Sequence, residues 1–234
     1  MNVAIIQARM GSTRLPGKCL MPLEGHPMLE WVLRRVEQAK SLDRVVVAVP
    51  HADLGAFSDF LTARKLGVFH DGGCVNHLYA GDEADVLGRY CAALRRLAPG
   101  ASTVVRITAD CPLVDPSVID GAVALLASRR GSIDYVSTSH PVRMLPSGFD
   151  VEAMSASALL RAGKRAVLAR HREHVTPYLY ESSPVRCAAY SDGPAVTMPH
   201  LSVDTQDDFA RVAHVLRRLG GRLDFTWREA VAAC

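Results

Sequence analysis

The chain has 234 residues, 49% of them hydrophobic, which suffices for one domain (1–234) with a continuous core, and no composition shift forces a second. Its 27 Lys and Arg against 24 Asp and Glu leave a formal charge of +3, too mild to mark a nucleic-acid or membrane surface, while anionic small molecules stay compatible. No apolar run approaches the roughly 20 residues of a membrane-spanning helix, no signal-peptide pattern opens the chain, and six scattered cysteines (19, 74, 91, 111, 187, 234) lack C-x-x-C spacing; reduced thiols and a cytoplasmic setting are expected.

"VAIIQ" (3–7) and "RVVVAV" (44–49) are β-branched runs that read as strands buried on both faces of a parallel sheet. Between them Met28, Leu29, Val32, Leu33 and Val36 recur at helical spacing, with Pro27 suited to the first turn. A second helix is expected over 84–98, a strand at "TVVRI" (103–107), and a helix from Pro116 for which Asp115 is a natural N-cap. "DYVST" (134–138) reads as a strand, and the Pro/Gly-punctuated segment around 139–155 as loop plus hairpin. "LSVD" (201–204) reads as a late strand. The helix after it carries Phe209, Val212, Val215, Leu216 and Leu219 on one face and stops at Gly220 and Gly221. Repeated strand and helix units predict an α/β sheet with right-handed crossovers.

The segment "ARMGSTRLPGK" (8–18) falls between the first strand and the next helix, where open α/β sheets gather ligands. Gly11 and Gly17 allow close backbone approach, Ser12 and Thr13 supply hydroxyls, and Arg9, Arg14 and Lys18 can neutralise a polyphosphate. The plain alternative is a surface turn with solvated cations. Walker A is absent, because five residues separate the glycines and Cys19 follows Lys18; G-x-G-x-x-G is absent too. Asp110 follows one predicted strand and Asp204 closes another, and the two could share Mg²⁺ with phosphate oxygens. Turn formation at Asp110, and helix entry at Asp204 beside a Thr205/Asp208 capping box, explain them equally simply.

"QARMGSTRLPGKCL" together with "DVLGRY", "RITADCPLVDP", "REHVTPYLY" and "VDTQDDF" resembles the cytidylyltransferases that make CMP-activated sugars, the CMP-Kdo and CMP-sialic acid synthetases, nearest the spore-coat polysaccharide branch. The resemblance implies a three-layer, Rossmann-like nucleotidyltransferase fold with a mixed sheet and a hairpin or arm insertion, often dimeric through that arm. It also implies Mg²⁺ at Asp110 and Asp204, with Lys18, Arg9 and Asp110 catalytic. Ala8, Gly11, Ser12, Arg14, Lys18, Arg89 and Thr108 would hold CTP. The acceptor side would use Asp150, Glu152, Arg172 and His174, holding an acidic sugar or related anion. At "PSGFDVE" the chain departs from the family's P-D-G-L-D-V-E through Ser147 and Phe149, and Gln206 replaces a common proline, which leaves the acceptor open.

Other readings rank below this one. Use of a different NTP, and a non-catalytic nucleotide-binding regulator, both keep the loop. The spacing of His171, Glu173 and His174 matches neither H-E-x-x-H nor H-x-x-E-H, so a zinc hydrolase fits poorly. Paired arginines at 34/35, 95/96, 129/130 and 217/218 read as solvated helix faces rather than an RNA surface.

Overall fold

A computed structural model of the chain describes residues 1–66, 75–181, 186–193 and 198–234. Strand β1 (Asn2–Gln7) alternates between two cores, with Ala4 and Ile6 on one face and Val3 and Ile5 on the other. A hairpin of β2 (Pro22–Leu23) and β3 (His26–Pro27) leads into α1 (Met28–Val36). Pro27 therefore stands at the N-cap with extended ψ of 145°, one residue before the first turn expected for it, because it still pairs with Pro22.

The alternation continues through β4 (Arg44–Pro50), α2 (Leu54–Ala63), β5 (Val75–Gly81), α3 (Val86–Leu97), β6 (Thr103–Thr108) and α4 (Pro116–Ser128). Asp85 caps α3 through Gly88 N at 2.8 Å, and Asp115 caps α4 through Ser117 N at 2.8 Å. Asp115 also accepts from Trp227 N at 2.7 Å, so the expected cap ties down the C-terminal segment as well.

Beyond these lie β7 (Tyr135–Ser137), β8 (Glu152–Ser155), α5 (Ala156–Arg165), α6 (Ala169–His174), α7 (Pro177–Glu181), β9 (Cys187–Ala189), α8 (Gln206–Arg218) and α9 (Trp227–Ala232). The seven-stranded sheet runs β5-β4-β1-β6-β8-β7-β9, with β8 antiparallel to both neighbours and the other pairs parallel. Helices α1, α2, α4, α8 and α9 pack on one face and α3, α5 and α7 on the other, giving three layers. Each buried Val, Ile or Leu there contributes about 1.5–3 kcal/mol by leaving water.

The strand expected at 134–138 is β7, but the segment 139–155 forms no hairpin of its own: after a loop it supplies the single strand β8, which pairs antiparallel with β7 and β6 in the main sheet. The strand expected at 201–204 does not form. Leu201 N bonds to Ser147 O and Val203 N to Asp110 O, each at 2.8 to 2.9 Å, so the segment is stitched to two loops instead of a ladder. At the end of α8, Gly220 N reaches Arg217 O and Gly221 N reaches Leu216 O, the paired bonds of a Schellman stop. Among the described cysteines, 19, 91, 111, 187 and 234 are free thiols; Cys74 lies outside the described residues.

Strands β1 and β6 are parallel neighbours with Gln7 opposite Thr108. The loops that follow them consequently leave the sheet at the same edge. That adjacency places Asp110 next to the 8–18 segment.

Candidate active site

The loop after β1 is held by its own backbone and by one carboxylate from the next crossover. Met10 O accepts both Ser12 N and Gly17 N at 2.9 Å, while Met10 N donates to Asp53 Oδ2 at 2.8 Å. Gly17 has φ +71°, a left-handed conformation that carries little cost only without a Cβ. Gly11 shows no such requirement. Ala8 is buried and bonds to Ala48 O at 3.2 Å, and Cys19 donates to Arg9 O at 3.3 Å.

Lys18 is the centre of the site. Its ammonium, 9% exposed as a residue, donates to Val203 O at 2.6 Å, Asp204 Oδ1 at 3.2 Å and Asp110 Oδ2 at 3.3 Å. Burial works against its charge, but Asp110 and Asp204 outweigh burial and hold it above its ordinary value. Arg14 adds a second cation to Asp204 Oδ1 at 3.0 Å. Burial pushes the Cys19 thiol up to about 11 and Cys111 well above its usual range, so neither supplies a thiolate at neutral pH.

Arg14, Lys18, Cys19, Asp110 and Asp204 wall a cleft of about 220 Å³ together with Gln7, Arg9, Ser12, Thr13, Arg106 and Thr108. Four cations there face two carboxylates, so the cleft favours a polyanion. Asp110 and Asp204 suit a hard cation. Each turns one oxygen to Lys18, leaving Asp110 Oδ1 beside the Cys111 thiol at 3.6 Å and Asp204 Oδ2 at 4.0 Å from His200. Two carboxylates plus phosphate oxygens and water match the sparse protein ligation that Mg²⁺ accepts.

An adjoining cleft of about 290 Å³ shares Arg106, Thr108 and Asp110 with the first and extends over His140, Asp150, His174, Thr176 and Tyr180. Asp150 accepts from Arg143 Nη1 at 2.8 Å, and His140 stacks on Tyr180 with ring centroids 4.1 Å apart. Between α6 and α7, Val175 has φ +71° and ψ −58°, and Thr176 N bonds to His174 O at 2.8 Å. That is a γ-turn in a strained region for a β-branched residue, and it presents the residues on either side of Val175 to the cleft.

Glu152, expected on the acceptor side, lines this cleft and is also bonded within the protein: it pairs with Arg106, accepts Thr176 Oγ1 at 2.7 Å and accepts Tyr135 OH. Arg172 lies apart from His174. Positions two apart fall on different sides of a helix, and Arg172 turns to Asp85 and Gly163 O, lining a separate cleft with Arg9, Asp82 and Glu83. Arg89 is buried behind that cleft, with Nη1 on Asp82 O at 2.6 Å and its Nε and Nη2 without protein acceptors.

Sequence departures also find their places. Ser147 Oγ meets Ser202 Oγ at 2.8 Å, Phe149 is fully buried near Trp227, and Gln206 is the exposed first residue of α8. Gly148, at φ +103°, is required: a Cβ there would lie 2.5 Å from the Leu201 carbonyl. Sequence reasoning missed Gln7, Asp53 and Arg106. The available signal for Arg106 was a cation interrupting the apolar run "TVVRIT".

A mixed α/β sheet whose first loop gathers cations opposite two carboxylates, one just after β6 and one just before α8, has the layout of a nucleotidyltransferase. The cytidylyltransferase family model matches residues 3–219, and the chain belongs to that family. The solved structure of a cytidylyltransferase from Leptospira borgpetersenii superposes with TM-score 0.86 at 26% identity, covering 99% of this chain and 92% of that one. The spore coat polysaccharide biosynthesis protein SpsF of Bacillus subtilis is 27% identical over 97% of this chain and 91% of its own length. The 3-deoxy-manno-octulosonate cytidylyltransferase of Zea mays is 38% identical over 53% of this chain and 38% of its own length.

Proposed function

We propose that this cytidylyltransferase moves CMP from CTP to an acidic sugar in a Mg²⁺-dependent reaction that releases pyrophosphate. The observation that carries this reading is the buried Lys18 ammonium between Asp110 and Asp204 at the mouth of the phosphate-sized loop. An acceptor hydroxyl gives up its proton to water as its oxygen attacks the α-phosphorus of CTP; the new O–P bond forms, and the bond from that phosphorus to the oxygen bridging to the β-phosphate breaks, releasing pyrophosphate. Positioning and charge stabilisation carry such a transfer, with little covalent help.

Arg9, Ser12 and Arg14 take the polyphosphate, and Arg14 exchanges its bond to Asp204 for phosphate oxygen as the substrate enters. Lys18 stays protonated and answers the negative charge that develops on the α-phosphate and the departing pyrophosphate. Asp110 and Asp204 would hold Mg²⁺, which when bound neutralises phosphate charge and favours the leaving group. Ala8 and Thr108 would border the nucleoside end of CTP. A homodimer is the expected assembly on family grounds, readable by light scattering.

The direct test incubates the enzyme with CTP, Mg²⁺ and a panel of acidic sugars, with mass detection of CMP conjugates. A conjugate and equimolar pyrophosphate support the reading. Stronger thermal stabilisation by ATP, UTP or GTP than by CTP would overturn the base assignment.

A further inference from the structure

Three residues wall both clefts: Arg106, Thr108 and Asp110. Arg106 is the cation among them. It projects on the Val104 face of β6, where an apolar residue would continue the core, and it stands at the carboxyl edge of the sheet. Its fork is held at two corners, by Glu152 on Nη1 and by Gln7 Oε1 on Nη2 at 3.3 Å. Glu152 is itself fixed by Tyr135 and Thr176. A polar row thus crosses four strands, from Gln7 on β1 through Arg106 and Glu152 to Tyr135 on β7, under the seam between the clefts. The Arg106 side chain remains 16% exposed, so one edge of the cation faces that seam.

In a 2-keto sugar acid in its ring form, the attacking hydroxyl and the carboxylate share one carbon. The attacking oxygen has to meet the α-phosphate at the border of the two clefts, so the carboxylate arrives at that border with it. A planar guanidinium reads a carboxylate with two parallel hydrogen bonds, which an ammonium cannot imitate. The competing cation Arg143 is tied to Asp150 at 2.8 Å and its side chain is 43% exposed, at the outer rim. The Gln7 bond to Nη2 is long enough to be exchanged for a substrate oxygen without breaking the Glu152 pair.

Given the CMP transfer proposed above, we propose that Arg106 is a specificity-determining residue that reads the acceptor's carboxylate at the seam, with Glu152 as its positioning residue. The test uses the full chain, CTP, Mg²⁺ and a panel of 2-keto sugar acids that includes 3-deoxy-manno-octulosonate, each paired with its neutral carboxamide. The wild type should prefer an acid over its amide by at least about 100-fold in kcat/KM, as a site built around a polar group rejects the analogue that lacks it. Arg106→Lys should lose at least about tenfold of that preference, mainly in acceptor KM, because charge remains while the fork is gone. Its CTP affinity, measured without acceptor, should fall by a smaller factor than the acid preference, since lysine keeps the charge that position 106 lends the first cleft and Arg9, Arg14 and Lys18 are untouched. Glu152→Gln should lower the preference in the same direction, which a purely structural tie between β6 and β8 would not do.

Should Arg106→Lys fail to fold by circular dichroism, Arg106→Gln keeps a hydrogen bond to Glu152 and gives the same readout. A folded variant with an unchanged acid-to-amide ratio overturns this inference alone. Wild-type transfer only to neutral acceptors, or to none of the panel, overturns both it and the proposed function.

Discussion

The two halves of the site are assembled in different ways. The half proposed for phosphate comes largely from one stretch, residues 8–19, in which Met10 O accepts both Ser12 N and Gly17 N. The acceptor-facing half draws on β6 and the loop after it, the β7–β8 connection, the γ-turn at Val175 and Ser202. A triphosphate needs dense positive charge and close backbone, which neighbouring residues in one loop can provide. A particular sugar needs a shape, and shape comes from segments that meet only through tertiary packing. The first half should therefore tolerate no loss of charge whatever the acceptor, and the second should affect one substrate and spare the other.

The largest expected effect tests the first clause. Lys18→Ala should lower kcat by about 10²–10⁴-fold, in the range of removing a preorganised charge from a transition state. The loss should be equal for every acceptor; a loss confined to one sugar would break the division between the halves. The pH dependence has a defined sign. Because its folded value lies above the ordinary 10.5, the stabilisation from the Lys18 ion pairs is fully present below 10.5 and is lost as pH rises through the higher folded value. Pyrophosphate release should accordingly show no Lys18-dependent limb between pH 6 and 9, roughly the neutral range over which such an ammonium stays charged.

Next in size is the metal. Chelation with EDTA should stop pyrophosphate release, and added Mg²⁺ should restore it. Asp204→Asn should raise the Mg²⁺ concentration for half-maximal rate by at least about tenfold, because an amide oxygen is a weaker ligand for a hard cation than a carboxylate. An unchanged Mg²⁺ titration would remove Asp204 from the metal role and leave it as a partner of Lys18 and Arg14.

The second half is probed by His174→Ala. His174 lines the acceptor cleft away from the phosphate cations, so the acceptor KM should rise about tenfold, the scale of one lost hydrogen bond to a charged group, with CTP affinity unaltered. A matching loss in CTP affinity would show that the clefts are not energetically separable.

The same contrast explains what could be read before folding. The near-continuous apolar runs of β1, β4 and β6 announced a parallel sheet, because a strand buried on both faces has little room for polar residues. The 8–18 loop was legible since its chemistry is contiguous. Glu152 was legible only in part: it does line the acceptor cleft, but its bond to Arg106 depends on the register of β8 against β6, which its sequence neighbours do not reveal. Arg172 and His174 stand two apart in one motif yet line different clefts, a separation that depends on helix phase and on what packs there. The segment 201–204 looked like a strand by composition but found carbonyls on two loops, which no local pattern encodes.

The smallest effect concerns the joint between Asp204 and the helix behind it. Thr205 Oγ1 accepts Asp208 N at 3.3 Å, and the Asp208 carboxylate returns to Thr205 N at 2.9 Å, closing a capping box immediately after the proposed metal carboxylate. Thr205→Ala should cost about 1 kcal/mol of stability, a typical cap loss, readable as a lower Tm. Burial raises the Asp208 value, but the Thr205 hydroxyl and backbone donors and Arg211 prevail and hold it below 3.8. The contribution of Asp208 is thus present above 3.8 and is lost as pH falls through the lower folded value. The Tm gap between wild type and Thr205→Ala should persist at pH 7 and narrow in strong acid, while kcat at pH 7 stays near wild type. A large fall in kcat with little change in Tm would mean that the cap sets the position of Asp204, and the phosphate half would then extend past its loop into the start of α8.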